Sequence, residues 1–174
     1  MLMRSGLAVV TLLLTMTASA AGARDPYSHF FHESFGDYRE ELATANSDGL
    51  QGVMLFFEMD ECPFCQWMKQ QVLSQPAVQE YYRQHFRLLA VDIEGDVEIT
   101  DFSGNTMSQK QFAEKVNRVR ATPVIQFYDQ SGNVVHRFTG RTRDAAEFLL
   151  MGRFVVEGHY RTTSFSRFKR EQGK

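Results

Sequence analysis

The only two cysteines in the chain stand three residues apart, as Cys62-Pro63-Phe64-Cys65, and this unit offers the clearest chemistry in the sequence. The apolar run just before it, G-V-M-L-F-F-E-M over residues 52–59, reads as a strand buried on both faces. The residues after it, through Trp67, Met68, Val72 and Leu73, read as a helix. A thiol at the first turn of a helix meets unpaired backbone N–H groups and the positive end of the helix dipole. Both favour the thiolate, the form that attacks disulfides. Pro63 suits the first helical position, where a missing N–H costs nothing. Cys62 would attack a substrate disulfide and form a mixed disulfide; Cys65, one turn on, would resolve it and leave the pair oxidised. The reverse sequence would donate a disulfide. Three other uses of the pair compete. A structural disulfide would close a very short loop and so restrain the unfolded chain little. A pair of ordinary core thiols leaves Pro63 at a helix start unexplained. Metal binding is the main alternative. Zinc wants four ligands and there is no second cysteine pair, though His29 and His32 would complete a set if the fold brought them close. Copper(I) would suit two soft thiolates, Cys62 and Cys65.

Thr122-Pro123, about 58 residues after Cys65, is the second chemical signal. A proline at the first residue of a strand cannot donate to the ladder. A cis bond there would turn a backbone edge toward the thiols, where a substrate segment could pair with it. Pro63, Phe64, Thr122 and Pro123 are therefore the candidate substrate-binding residues. Glu58, Asp60 and Glu61 crowd Cys62 from its N-terminal side, and negative charge disfavours a thiolate. Phe64 between the cysteines offers no cation to offset them. That balance points to a reductant rather than a strong oxidant. Glu58, on the apolar strand, is a possible proton acceptor for Cys65; a solvated carboxylate at the strand end is the other outcome.

The elements that must position these residues follow from pattern and punctuation. Residues 24–49 read as one lead-in helix with Phe35, Tyr38 and Leu42 on its apolar stripe. Pro76 kinks or restarts the helix that follows Cys62, and Val78, Tyr81 and Tyr82 continue its stripe. Residues 86–93 form a strand. Ser103-Gly104-Asn105 turns a small hairpin, and Ser108 caps a helix through Phe112 and Val116. Residues 122–128 and 134–138 are strands joined by the Ser131-Gly132-Asn133 turn. Asp144 caps a last long helix, residues 145–156, and a basic tail with Phe165 and Phe168 follows. Strands separated by helices imply parallel crossovers, with the closing hairpin as an antiparallel edge. The expected fold class is α/β, a central mixed β-sheet with helices on both faces.

The composition, 43% hydrophobic and 23% charged, is that of a globular chain rather than a disordered one. A net charge of −2 argues against nucleic acid as a partner. No Gly-rich phosphate loop or cofactor box appears, and no cofactor is expected. Residues 1–23 read as a cleaved signal peptide: Arg4, an apolar stretch through Leu12-Leu13-Leu14, then Ala18-Ser19-Ala20 with a second cut site at Ala21-Gly22-Ala23. The apolar run is shorter than the roughly 20 residues of a membrane span. The destination is an oxidising space such as the bacterial periplasm.

Over residues 52–156 the chain resembles the thioredoxin-fold proteins, through M-L-F-F-E-M-D-E-C-P-F-C-Q-W-M, R-A-T-P-V-I-Q-F-Y-D and the S-G-N hairpin. More narrowly it is similar to the periplasmic SoxW-type thioredoxins of sulfur-oxidising bacteria, through F-E-M-D-E-C-P-F-C, D-I-E-G-D-V-E-I-T-D-F and F-V-V-E-G-H-Y-R-T-T-S-F. The resemblance implies Cys62 as the exposed nucleophile, Cys65 as the resolving thiol and Pro123 as a cis-proline preceded by Thr122. It implies disulfide-bonded protein substrates and electrons from a membrane thiol donor, in sulfur oxidation or cytochrome maturation. Two positions depart from the thioredoxin pattern: Glu61 replaces the tryptophan before the first cysteine, and Phe56 replaces the buried aspartate six residues before it. The expected organisation is a signal peptide at 1–23, a helical lead-in at 24–51, a thioredoxin-like domain at 52–160 and a basic tail at 161–174.

Overall fold

The computed structural model describes residues 22–173. The signal peptide expected at 1–23 falls almost wholly outside the described residues. Among those described, no helix is long and apolar enough to cross a membrane. The chain runs α1 (Pro26–His29), α2 (Tyr38–Ser47), β1 (Gly52–Glu58), α3 (Pro63–Met68), α4 (Pro76–His85), β2 (Phe86–Asp92), β3 (Glu98–Thr100), β4 (Thr106–Ser108), α5 (Gln109–Gln111), β5 (Val124–Asp129), β6 (Val134–Thr139), α6 (Ala145–Val156) and α7 (Phe165–Gln172). Wider π turns, Lys69–Leu73 and Phe112–Val116, prolong α3 and α5.

One sheet has the order β2-β1-β5-β6; β3 and β4 form a separate hairpin. β1 pairs parallel with β2 and antiparallel with β5, and β5 pairs antiparallel with β6. The sheet is mixed, as expected, but the direction of β5 corrects the expectation of parallel crossovers. The chain between β2 and β5 travels through the β3–β4 hairpin, α5 and its π turn. It re-enters the sheet beside the C-terminal end of β1, where Phe57 faces Val124. From there it runs back.

β1 is buried along all seven residues because both faces are covered. Met54 and Phe56 point into a cluster with Cys65, Met68, Tyr82, Ile125 and Phe148. Val53, Leu55 and Phe57 point into a second cluster with Tyr38, Ala45, Leu89 and Phe112. Gly52 opens the strand where nothing larger fits: at φ +143°, an added Cβ would lie 2.0 Å from the Tyr128 carbonyl oxygen.

Local signals fixed most boundaries. The Ser108 hydroxyl accepts the Gln111 N–H, and the Gln111 side chain accepts the Ser108 N–H, a reciprocal cap. Asp144 caps α6 by accepting the Glu147 N–H. Pro76 opens α4, so the helix restarts there rather than kinks. The Asp129 carboxylate accepts the Ser131 and Asn133 N–H groups and holds the β5–β6 turn.

The expected single helix over residues 24–49 is corrected to two short helices separated by an irregular segment. Asp25 caps one and Asp37 the other, so each acid starts its own helix. Phe35, expected on the apolar stripe, lies between them and is fully exposed. Phe30 and Phe31 are buried instead, and the Arg83 guanidinium donates to both of their carbonyls. The basic tail forms α7, docked through Phe165 and Phe168 against Phe154, with Lys169 ion-paired to Glu147.

His136 is packed among Phe127, Phe154 and Phe165, and burial pushes its imidazole from 6.5 down to about 4. Burial, then the neighbouring Arg83 and Arg87, moves His32 down to about 4 as well. As pH falls from 6.5 towards 4, the unfolded chain takes up protons that these buried rings refuse. Stability present above pH 6.5 is therefore lost progressively across that window. Urea denaturation between pH 7 and pH 4 should show this slope, and it should be shallower in His136→Phe.

Candidate active site

The strand-to-helix junction after β1 carries the cysteines. Cys62 is the N-cap of α3 and Pro63 its first residue. The Cys65 backbone N–H donates to Cys62 Sγ at 3.1 Å, and the two sulfurs are joined in a disulfide with their Cα atoms 5.2 Å apart. The helix start thus aims an N–H donor at the sulfur of Cys62, and such a donor stabilises negative charge on it once the disulfide is reduced.

The expected exposed nucleophile is corrected: Cys62 is only 3% exposed, and Cys65 is wholly buried. With the disulfide closed, Cys62 belongs to the same apolar cluster as Phe56, Met68 and Ile125. The rim around it is what meets solvent. Phe64 is 56% exposed, and Pro63, Asp60 and Glu61 are exposed beside it.

Thr122-Pro123 is cis. The antiparallel direction of β5 sets Pro123 just before Val124, beside the end of β1 from which the cysteine loop departs. The Gly140 N–H donates to the Pro123 carbonyl at 2.8 Å, so the turn after β6 is tied to this strand start. The Thr122 hydroxyl is buried with no hydrogen-bond partner.

Glu58 is buried at the end of β1 rather than solvated. It shares the face of Met54 and Phe56, toward the cysteine cluster, yet its carboxylate is engaged. Lys69 Nζ meets Oε2 at 2.8 Å, and the Tyr27 hydroxyl donates to Oε1 at 2.8 Å. Lys69 Nζ also reaches the Tyr27 oxygen at 2.9 Å, which closes a triangle. Burial disfavours the Lys69 ammonium, but its bonds to Glu58 and Tyr27 outweigh this and raise its pKa above the ordinary value. Burial raises that of Tyr27 as well, against the opposing pull of Lys69. A cavity of about 170 Å³ lies against this group and reaches Asp60, Gln66 and Asp92. Tyr27 and Lys69 carried no signal in the sequence. Thirty-one and eleven residues from Glu58, they meet it only through the fold.

His29 and His32 are not brought to the cysteines as metal ligands. His32 Nδ1 accepts the Leu88 N–H at 3.0 Å, and His29 Nδ1 contacts the Asp25 carbonyl. Among the described residues, no three His, Cys, Asp or Glu side chains converge to hold a metal ion.

A model of the thioredoxin-like domain matches residues 38–155, and the chain belongs to that family. A thioredoxin from Thermus thermophilus is 31% identical, over 69% of this chain and 84% of that one, with a TM-score of 0.54. Two more distant structures share the fold. One is a thioredoxin-fold protein from Helicobacter pylori, at 22% identity over 68% of this chain and 78% of that one, TM-score 0.55. The other is a DsbH oxidoreductase, at 19% identity over 86% and 95%, TM-score 0.56. No curated protein sequence matches the chain. A cysteine pair at the first turn of α3, in a chain of this family, makes the protein a thiol–disulfide oxidoreductase.

Breaking a buried ion pair leaves one charge uncompensated. Lys69→Met should therefore cost about 3–5 kcal/mol. Glu58→Gln combined with Lys69→Met should recover part of that loss. Chemical denaturation of the two single variants and the double variant measures the coupling.

Proposed function

We propose that the protein is a periplasmic thiol–disulfide oxidoreductase that reduces disulfides in protein substrates, of the SoxW-type thioredoxin kind, serving sulfur oxidation or cytochrome maturation. The observation that carries the proposal is Cys62 at the N-cap of α3, its sulfur bonded to Cys65 and facing the Cys65 N–H, at the sheet end where β5 begins. In the reduced enzyme the Cys62 thiolate attacks one sulfur of the substrate disulfide. The substrate S–S bond breaks, a mixed disulfide forms, and one substrate thiolate leaves and takes a proton. Cys65 then gives up its proton and attacks Cys62 Sγ, which frees the second substrate thiolate. Two electrons have passed to the substrate, and the enzyme is left with the Cys62–Cys65 disulfide seen here.

Glu58 is the proposed acceptor of the Cys65 proton. It is the buried carboxylate on the cysteine face of β1, held by Lys69 and Tyr27. Pro63, Phe64, Thr122 and Pro123 form the proposed substrate-binding rim. Direction follows from charge. Asp60 and Glu61 are exposed next to Cys62, and neighbouring negative charge disfavours the thiolate. Oxidants of this type owe their strength to a stabilised reduced form, which such a neighbourhood does not provide. The leader read at 1–23 supports export, with 24–51 as lead-in, 52–160 as domain and 161–174 as tail. A reductant in an oxidising compartment needs its electrons returned, which supports a membrane dithiol as donor.

With a chemical reductant present, Cys62→Ser should lower reduction of a protein disulfide to the uncatalysed rate, and unchanged activity overturns the proposal. Cys65→Ser should accumulate a mixed disulfide, visible by non-reducing electrophoresis and identifiable by mass spectrometry. Glu58→Gln should slow resolution of that species by about 10²-fold, the scale of a general base, with a smaller effect on the first attack. Single-turnover kinetics separates the two steps.

A further inference from the structure

The turn after β6 joins both halves of the site. Its Gly140 N–H donates to the Pro123 carbonyl, and the N–H and hydroxyl of Thr142 both reach Met68 Sδ, at 3.4 Å, on α3. Arg141 lies between these two anchors. Its guanidinium carbon sits 4.4 Å from the ring centre of Trp67 and 5.8 Å from that of Phe64. Phe64 and Trp67 are three apart on α3 and so share a face, which the guanidinium covers. Phe64 is the residue between the two cysteines.

Arg141 is exposed, and among the described residues it forms no ion pair. Its one hydrogen bond is a long contact of 3.5 Å to the Thr142 carbonyl. The contrast with its neighbour is informative: Arg143 is committed to Asp144. Arg141 is therefore a charge already held in place by ring faces and fastened backbone, with its donors otherwise unspent. A planar guanidinium so oriented suits a carboxylate. The other side of Cys62 has the opposite sign, since Asp60 and Glu61 are exposed and also unpaired among the described residues. The rim around the reactive sulfur is thus polarised, anionic before α3 and cationic beside it.

We propose that Arg141 is a specificity-determining residue that reads a carboxylate on the protein substrate, next to the attacked cysteine, in the extended segment that pairs beside Pro123. The preferred substrate is a disulfide with an Asp or Glu on that side. This rests on the redox role of Cys62 and Cys65, and deepens it by naming what the partner presents.

The test uses reduced Cys65→Ser protein, with Arg141 intact or changed to Gln or Glu. Three disulfide-bearing peptides, identical except for Glu, Ala or Lys flanking the cysteine, are compared with an uncharged aromatic disulfide. Mixed-disulfide formation is followed by stopped flow, and each variant's peptide rates are divided by its own rate with the small disulfide. With Arg141 present, the Glu peptide should react about two- to fivefold faster than the Ala peptide, the scale of one exposed ion pair. The preference should shrink as salt is added. Arg141→Gln should abolish it, and Arg141→Glu should reverse it in favour of the Lys peptide. A Glu preference that is absent at the outset, or that persists unchanged in Arg141→Gln, overturns the role of Arg141 alone. Failure of Cys65→Ser to react even with the small disulfide overturns the redox reading with it.

Discussion

Seven residues of β1, closed in from both sides of the sheet, set the position of everything that follows. The strand cannot slip or tilt without moving Met54 and Phe56 out of one core and Leu55 and Phe57 out of the other. A one-residue change of register would exchange the two sets. Its C-terminal end is thus a fixed point, and Cys62 leaves from that point with only Met59, Asp60 and Glu61 between. Rigidity of the strand becomes rigidity of the reacting sulfur. The helix start then supplies the N–H that meets it.

Charge around the sulfur is sorted by depth. The interior carboxylate, Glu58, is neutralised by Lys69 and bound by the Tyr27 hydroxyl, because a buried acid without partners would cost several kcal/mol. The exterior acids, Asp60 and Glu61, remain hydrated and need none. Tyr27 comes from ahead of the family-matched residues 38–155. The segment around it is no loose leader: Phe30 and Phe31 pack in the same core as the cysteines, and Tyr27 reaches the residue nearest the end of β1. Residues 27–31, upstream of the family-matched part, are thereby built into its active end.

Much of this architecture was legible in advance, for identifiable reasons. The short, near-continuous apolar run of residues 52–57, bounded by Gly49 and Pro63, has the length and flanks of a strand covered twice. Ser108 and Asp144 announced their helices because their side chains accept the backbone N–H groups that a helix start leaves open. The Asp129 turn was equally local. Residues 24–49 misled because their apolar spacing continues through Phe35, while two capping aspartates, Asp25 and Asp37, divide the segment. Exposure of Cys62 misled as well. Its surroundings are assembled from α3, β1 and β5, and a closed disulfide draws its sulfur toward the buried Cys65.

The linear chain by itself determined which atoms do the chemistry: two thiols one helical turn apart, a proline opening a later strand, and the elements that hold each. Those are short-range consequences of residue type and spacing. Only the folded chain decided that β5 runs against β1, which sets the proline at the same end of the sheet as the cysteines instead of the far end. Only the folded chain brought Tyr27, Lys69 and Arg141 to the site. Their partners are fixed by crossings of the backbone in space, and no pattern along the sequence encodes which crossing is made.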